Sequence, residues 1–134
     1  MLAIDLGSKR IGTAVSDELG ISVRPVETIR RSTTAQDFAR LEQLVEELGV
    51  QEIVVGLPLR LDGTAGDAAQ KCLAFAEKLR ARVRVKVSTQ DEKLTSYEAE
   101  REMKELGYDS KRRRERSDEF AAMIILRDYL EKRK

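Results

Sequence analysis

The stretch Leu2-Ala3-Ile4-Asp5-Leu6-Gly7-Ser8-Lys9-Arg10-Ile11-Gly12-Thr13-Ala14-Val15-Ser16-Asp17 decides the fold. It reads as two short strands, Leu2 to Gly7 and Ile11 to Asp17, broken by the turn residues Gly7-Ser8-Lys9-Arg10. A third strand is expected from Ile21 to Ile29, after Glu18-Leu19-Gly20. Connections this tight imply an antiparallel meander. Period two puts Leu2, Ile4 and Leu6 on one face of the first strand and Ala3, Asp5 and Gly7 on the other. A carboxylate therefore interrupts an apolar strand, with only small neighbours beside it. Burying it unpaired is costly, so it needs a cation, a set of donors or a bound metal ion. An ion pair with Lys9 or Arg10 meets that need as well as a metal does.

Beyond the meander the apolar spacing alternates between helix and strand. Thr34 marks the start of a helix with the stripe Phe38, Leu41, Leu44, Val45 and Leu48, and Gly49 marks its end. Ile53-Val54-Val55-Gly56 is a continuous apolar run, as a strand buried on both faces requires. Thr64, with Asp67 three residues on, resembles the cap of a second helix running to about Arg80. Val83-Arg84-Val85-Lys86-Val87 alternates as a strand near the sheet edge does. Thr95-Ser96-Tyr97-Glu98 is a capping box for a helix closed by Gly107, and a last helix is expected from about Ser117. The order βββαβαβαα describes an α/β protein: an antiparallel three-strand meander, then parallel strands, flanked by helices. At 134 residues the chain fits one domain, 1–134, around one core.

Composition narrows the chemistry. The chain has no histidine and one cysteine, which excludes Ser-His-Asp triads, Cys-His pairs, disulfides and the usual zinc sites together. Cys72 falls on the apolar stripe of its helix and reads as a buried thiol. The 25 basic and 24 acidic side chains nearly cancel to a formal charge of +1, so attraction to a polyanion must come from local patches. No apolar run is long enough to span a bilayer and no signal peptide opens the chain, so the expected location is cytoplasmic, with no membrane partner.

Two further acids occupy telling positions. Helical spacing aligns Asp118 with Ala121, Ala122, Ile125 and Tyr129, on the face turned to the sheet; an acid of the first helical turn, favoured by the helix dipole, accounts for it equally well. Asp91 and Glu92 follow the alternating strand, at the carboxyl end of the sheet where α/β proteins usually bind ligands. Three carboxylates from a first strand, a strand end and a last helix converge only if the sheet brings those ends together. Oxygen-only ligation would select Mg²⁺ or Mn²⁺, which can align water for attack on a phosphodiester without histidine.

At these residues the chain closely resembles the YqgF family of the ribonuclease H-like superfamily, described as pre-16S rRNA nucleases and as Holliday-junction-resolvase-like proteins. Four blocks carry the resemblance, in order and over essentially the whole chain: Ala3 to Asp17; Val55-Gly56-Leu57-Pro58-Leu59 with Asp62-Gly63-Thr64 and Gly66; Asp91-Glu92-Lys93-Leu94-Thr95-Ser96 with Glu98-Ala99; and Asp118-x-x-Ala121-Ala122-x-x-Ile125-Leu126. The resemblance implies a ribonuclease H-like mixed sheet and a metal-dependent nuclease with Asp5, Glu92 and Asp118 as catalytic, metal-binding acids, Asp91 being a weaker candidate. It departs from the family at Lys93, where arginine is usual, and at Ser96, where threonine is usual; lysine keeps the charge but loses the bidentate fork.

A basic surface suits such a site. Lys9 and Arg10 sit in the turn beside Asp5, and Lys111-Arg112-Arg113-Arg114-Glu115-Arg116 precedes Asp118; either a polyanion contact or a solvated loop explains the second run. Lys93 and Thr95 are further candidate phosphate donors, although Thr95 reads first as a helix cap. Aromatics are 4% of the chain, so base stacking is not the expected mode of recognition. The expected partner is nucleic acid, structured RNA ahead of branched DNA, bound by a monomer or a weak homodimer. A DNA junction resolvase and a non-catalytic nucleic-acid-binding regulator are the alternative functions.

Overall fold

The computed structural model describes residues 1–59, 62, 64–92 and 101–133, with the side chains of 114 and 115 left aside. The meander forms as expected: β1 (Leu2–Leu6), β2 (Arg10–Ser16) and β3 (Val23–Arg30) are antiparallel neighbours, with Asp5 opposite Gly12 and Arg10 opposite Arg30. A register shift between Gly12 and Ala14 leaves the buried Thr13 hydroxyl to donate to the Glu27 carbonyl at 2.6 Å and accept from its N–H at 3.0 Å.

Helix α1 (Thr34–Leu48) is capped by Thr33, one residue earlier than expected, and ends at Gly49 in the left-handed region, φ 63°. Strand β4 (Glu52–Pro58) returns parallel to β1, Ile4 lying opposite Val55. Helix α2 (Asp67–Arg80) starts at Gly66, which caps without a side chain. Thr64 is therefore not the cap: its N–H and hydroxyl both bond Asp62 Oδ1, at 2.9 and 2.7 Å, closing a local turn.

Strand β5 (Lys86–Glu92) pairs parallel with β4, giving the order β3-β2-β1-β4-β5. It begins three residues later than the Val83–Val87 alternation predicts and takes in the polar Ser88-Thr89-Gln90. At the sheet edge one flank of the strand faces solvent, so polar side chains are tolerated and alternation is a poor guide. Residues 101–105 are helical and Gly107 has φ 82°, as expected of the terminator; the Thr95 capping box lies outside the described residues. Helix α3 (Ser110–Lys132) starts seven residues before the expected Ser117, with Asp109 accepting from the Arg112 N–H at 2.8 Å. The basic run is thus helix, not loop: arginine and lysine are good helix formers, and apolar periodicity misses a first turn that carries no apolar stripe.

The two faces of the sheet differ in bulk. On one, Leu2, Ile4, Ile53 and Val55 pack against α1 and α2, where the Phe38 and Phe75 rings meet edge-on at 5.0 Å. On the other, Ala3, Ala14 and Val54 lie beneath Phe120, Ala122, Ile125 and Leu126 of α3. Small side chains there let α3 ride close to the sheet, and that closeness builds the site.

Candidate functional site

Asp5 lies at the centre of the sheet, half-buried on the α3 side. Two glycines flank it: Gly12 is its partner on β2, and Gly56 on β4 directly follows Val55, the partner of Ile4. Both lack a side chain because something else fills the space. A Cβ on Gly12 would stand 2.0 Å from the Asp118 carbonyl oxygen and 2.8 Å from its Cβ; one on Gly56 would stand 2.5 Å from Ile125 Cδ1 and 3.0 Å from Glu92 Oε2. Asp118 is thereby seated over one neighbour of Asp5 and the Glu92 carboxylate over the other. Three acids distant in sequence thus lie on the α3 side of the sheet, around two glycines.

The electrostatics agree. Burial, and then repulsion from Asp118, push the Asp5 carboxyl up to about 6. Burial pushes the Cys72 thiol up to about 11, with the negative charges of Glu92 and Asp5 adding to it, so Cys72 is an inert buried thiol as its spacing predicts. Asp118 is partly compensated: Arg10 Nε donates to its Oδ2 at 2.9 Å. Of the two readings open for Asp5 and Arg10, the ion pair exists, but with Asp118 rather than Asp5. Asp118 is the ninth residue of α3, not a first-turn acid, so the helix dipole does not explain it.

Asp91 and Glu92 are now distinguishable. Asp91 is exposed and pairs in register with Leu57, on the α1–α2 side of the sheet; Glu92 pairs with Pro58 and turns to the α3 side. The structure thus brings Asp5, Glu92 and Asp118 to one place and sends Asp91 elsewhere.

Three carboxylates offer only hard oxygen donors, the set a divalent cation such as Mg²⁺ takes. Among the described residues, no group of three His, Cys, Asp or Glu side chains is gathered tightly enough to ligate an ion as it stands; Asp118 is drawn to Arg10 instead. The all-oxygen donor set and the raised carboxyl of Asp5 nonetheless fit such an ion, whose charge would compensate all three acids.

The basic candidates divide. Lys9 and Arg10 are exposed in the turn beside the acids. Arg112 is exposed, with its guanidinium 4.1 Å from the centre of the Tyr108 ring. Arg113 donates to the Tyr108 carbonyl at 2.8 Å and Arg116 to Glu119 Oε1 at 3.2 Å, so both already serve the start of α3. The Arg114 side chain, Lys93 and Thr95 lie outside what the structure describes. One member of the surroundings escapes sequence reading: Glu119 is buried beside Asp118 and accepts from the Thr28 hydroxyl at 3.1 Å, anchoring α3 to β3. Only a helix already phased from Ser110 would single it out from the other acids of that run.

A mixed five-stranded sheet in this order, with acids of β1, β5 and the last helix on its α3 side, has a ribonuclease H-like fold. RuvC of T. thermophilus, solved with a Holliday junction substrate, superposes with a TM-score of 0.60 at 17% identity, over 99% of this chain and 96% of that one. Residues 1–132 match the family RuvX, described as Holliday junction resolvase, and the chain belongs to that family. A relative from Moorella thermoacetica is 42% identical over 132 residues, 98% of this chain and 94% of its own length. One from Desulforudis audaxviator is 38% identical over 134 residues, 100% of this chain and 95% of its own. Both bear the name "Putative pre-16S rRNA nuclease".

Proposed function

We propose that this protein is a divalent-metal-dependent nuclease that hydrolyses phosphodiester bonds in precursor 16S ribosomal RNA, at its 5′ end, during ribosome assembly in the cytoplasm. The observation that carries the reading is the convergence of Asp5, Glu92 and Asp118 across Gly12 and Gly56. The names of relatives covering nearly the whole chain support the substrate class.

Asp5, Glu92 and Asp118 would hold Mg²⁺ or Mn²⁺, which when bound neutralises charge developing on the phosphoryl oxygens and favours deprotonation of water. The chain's own part is to supply and orient that charge. Asp5 lies on the central strand, paired with Gly12 on β2 and directly after Ile4, which pairs with Val55 on β4, so its position is set by backbone and not by a flexible stem. With its carboxyl raised to about 6, it is ionised and ready to ligate at neutral pH, and protonated in acid. Arg10 and Lys9, beside Asp118, draw the phosphate backbone toward the acids. Ile125, buried above Gly56, keeps water from the back of the site.

A second reading is cleavage of branched DNA, favoured by the description of the family. Purified protein offered precursor rRNA and four-way DNA junctions, with Mg²⁺ or Mn²⁺, decides between them. Faster site-specific cut of the rRNA 5′ extension supports the proposal, and symmetric cleavage of the junction alone sinks it. Asp5→Asn must abolish cleavage while sparing binding; unchanged cleavage identifies a contaminant.

A further inference from the structure

Beside the acids, behind the β1–β2 turn, a cavity of about 470 Å³ is lined by Ser8, Lys9, Arg10, Arg30, Arg31 and Ser32. Four of the six are cations and none is an acid. Two of them, Arg10 and Arg30, face each other as cross-strand partners where β2 begins and β3 ends. Like charges in that arrangement oppose pairing, so the sheet carries a cost here that a bound anion would relieve. Arg10 has Asp118 as counter-charge. Lys9 and Arg30 are exposed and make no ion pair among the described residues.

Arg31 builds the wall and is not itself a donor to spare. Its Nε reaches the buried Asp37 at 3.3 Å, its Nη1 donates to the Gly7 carbonyl at 2.9 Å, and its backbone N–H donates to the Lys9 carbonyl at 2.9 Å. Asp37 in turn accepts from the Ser32 N–H at 3.1 Å. The turn carrying Ser8 and Lys9 is thus tied to the start of α1, and the cavity is shaped before anything enters it.

We propose that this cavity is a phosphate subsite: Lys9, Arg30, Ser8 and Ser32 hold a backbone phosphate of the substrate strand next to the one presented to the acids. Arg30 supplies a planar fork of donors, Lys9 a point charge and the serines neutral donors, and a concavity lined by one sign of charge concentrates anions. Arg10, shared between the cavity and Asp118, joins the two sites. The inference rests on the nuclease reading and extends it to a specific point of backbone contact.

The test is the salt dependence of binding to a labelled RNA hairpin with a single-stranded extension, measured in EDTA so that nothing is cut. Each lost phosphate contact lowers the slope of log K against log salt by about 0.7 for single strands and about 0.9 for duplex. Arg30→Gln should lower the slope by about that amount and weaken binding at every salt concentration. Arg30→Lys should keep the slope. Ser32→Ala should weaken binding with the slope unchanged. Arg24→Gln, an exposed arginine at the other end of β3, should change neither. The subsite is refuted if Arg30→Gln leaves the slope at the wild-type value, or if Arg24→Gln lowers it equally, since only a diffuse field then acts. The nuclease reading fails separately, by absence of metal-dependent cleavage in the wild type whatever the slopes. Inorganic phosphate should compete for binding to wild type and less so to Arg30→Gln.

Discussion

Replacing Asp5 by asparagine should make the metal-free protein more stable while destroying its activity. The folded protein holds the Asp5 carboxyl at about 6 against an ordinary 3.8. At about 1.36 kcal/mol per pH unit that difference amounts to about 3 kcal/mol of destabilisation whenever Asp5 is ionised. The sign follows from proton counting. Between 3.8 and 6 the native state binds more protons than the unfolded chain, so stability falls as pH rises through that window. The penalty is absent below the unfolded value and complete above about 6. Asparagine keeps the shape and removes the charge that burial and Asp118 oppose. Urea unfolding of both proteins in EDTA across that range should therefore show equal stability in acid and an advantage for Asp5→Asn that grows to about 3 kcal/mol at neutral pH. Adding Mn²⁺ should raise the wild type and leave the variant where it was, because only the wild type offers the full set of ligands. Equal stability at neutral pH, or a less stable variant, would show that Asp5 is already compensated and refute the reasoning.

Gly12→Ala should cost about 1–3 kcal/mol by overpacking and abolish cleavage, since the new Cβ meets the Asp118 carbonyl; unfolding and activity assays check both. Glu92→Gln should remove metal-dependent cleavage while Asp91→Asn changes it only a few-fold, a comparison that overturns the assignment of strand faces if reversed. Glu52, at the other end of β4, accepts from Ser88 at 2.7 Å and Arg133 at 3.0 Å and from Tyr129. Although burial opposes its ionisation, the Tyr129 and Ser88 hydrogen bonds with Lys86 and Arg133 hold its carboxyl below the usual range, so it contributes stability that is lost in acid. Glu52→Gln should destabilise by about 1–3 kcal/mol at neutral pH, less in acid, with cleavage rate unchanged in the folded fraction.

Much of this is legible in the sequence. The turns at Gly7-Ser8-Lys9-Arg10 and Glu18-Leu19-Gly20 define the meander, and period two in Leu2–Leu6 already puts Asp5 on the face with Ala3. The spacing of Asp118 from Ala121, Ala122 and Ile125 likewise aims it at the sheet. Less legible was whatever depends on a neighbour. β5 is polar because it is an edge, so its alternation stops before its ladder does, and Asp91 could not be told from Glu92 until the register with Leu57 and Pro58 was known. The reach of α3 back to Ser110 is hidden because its first turns bear arginines rather than an apolar stripe. Arg30 carries no signal in the sequence on its own; only opposite Arg10 across the β2–β3 ladder does it become part of a basic wall.

The most direct test of the central claim is anomalous diffraction from crystals soaked in Mn²⁺. The three carboxylates predict a manganese peak among Asp5, Glu92 and Asp118, absent from Asp5→Asn crystals treated in the same way. Manganese bound only elsewhere, or a peak that persists in Asp5→Asn, would contradict it.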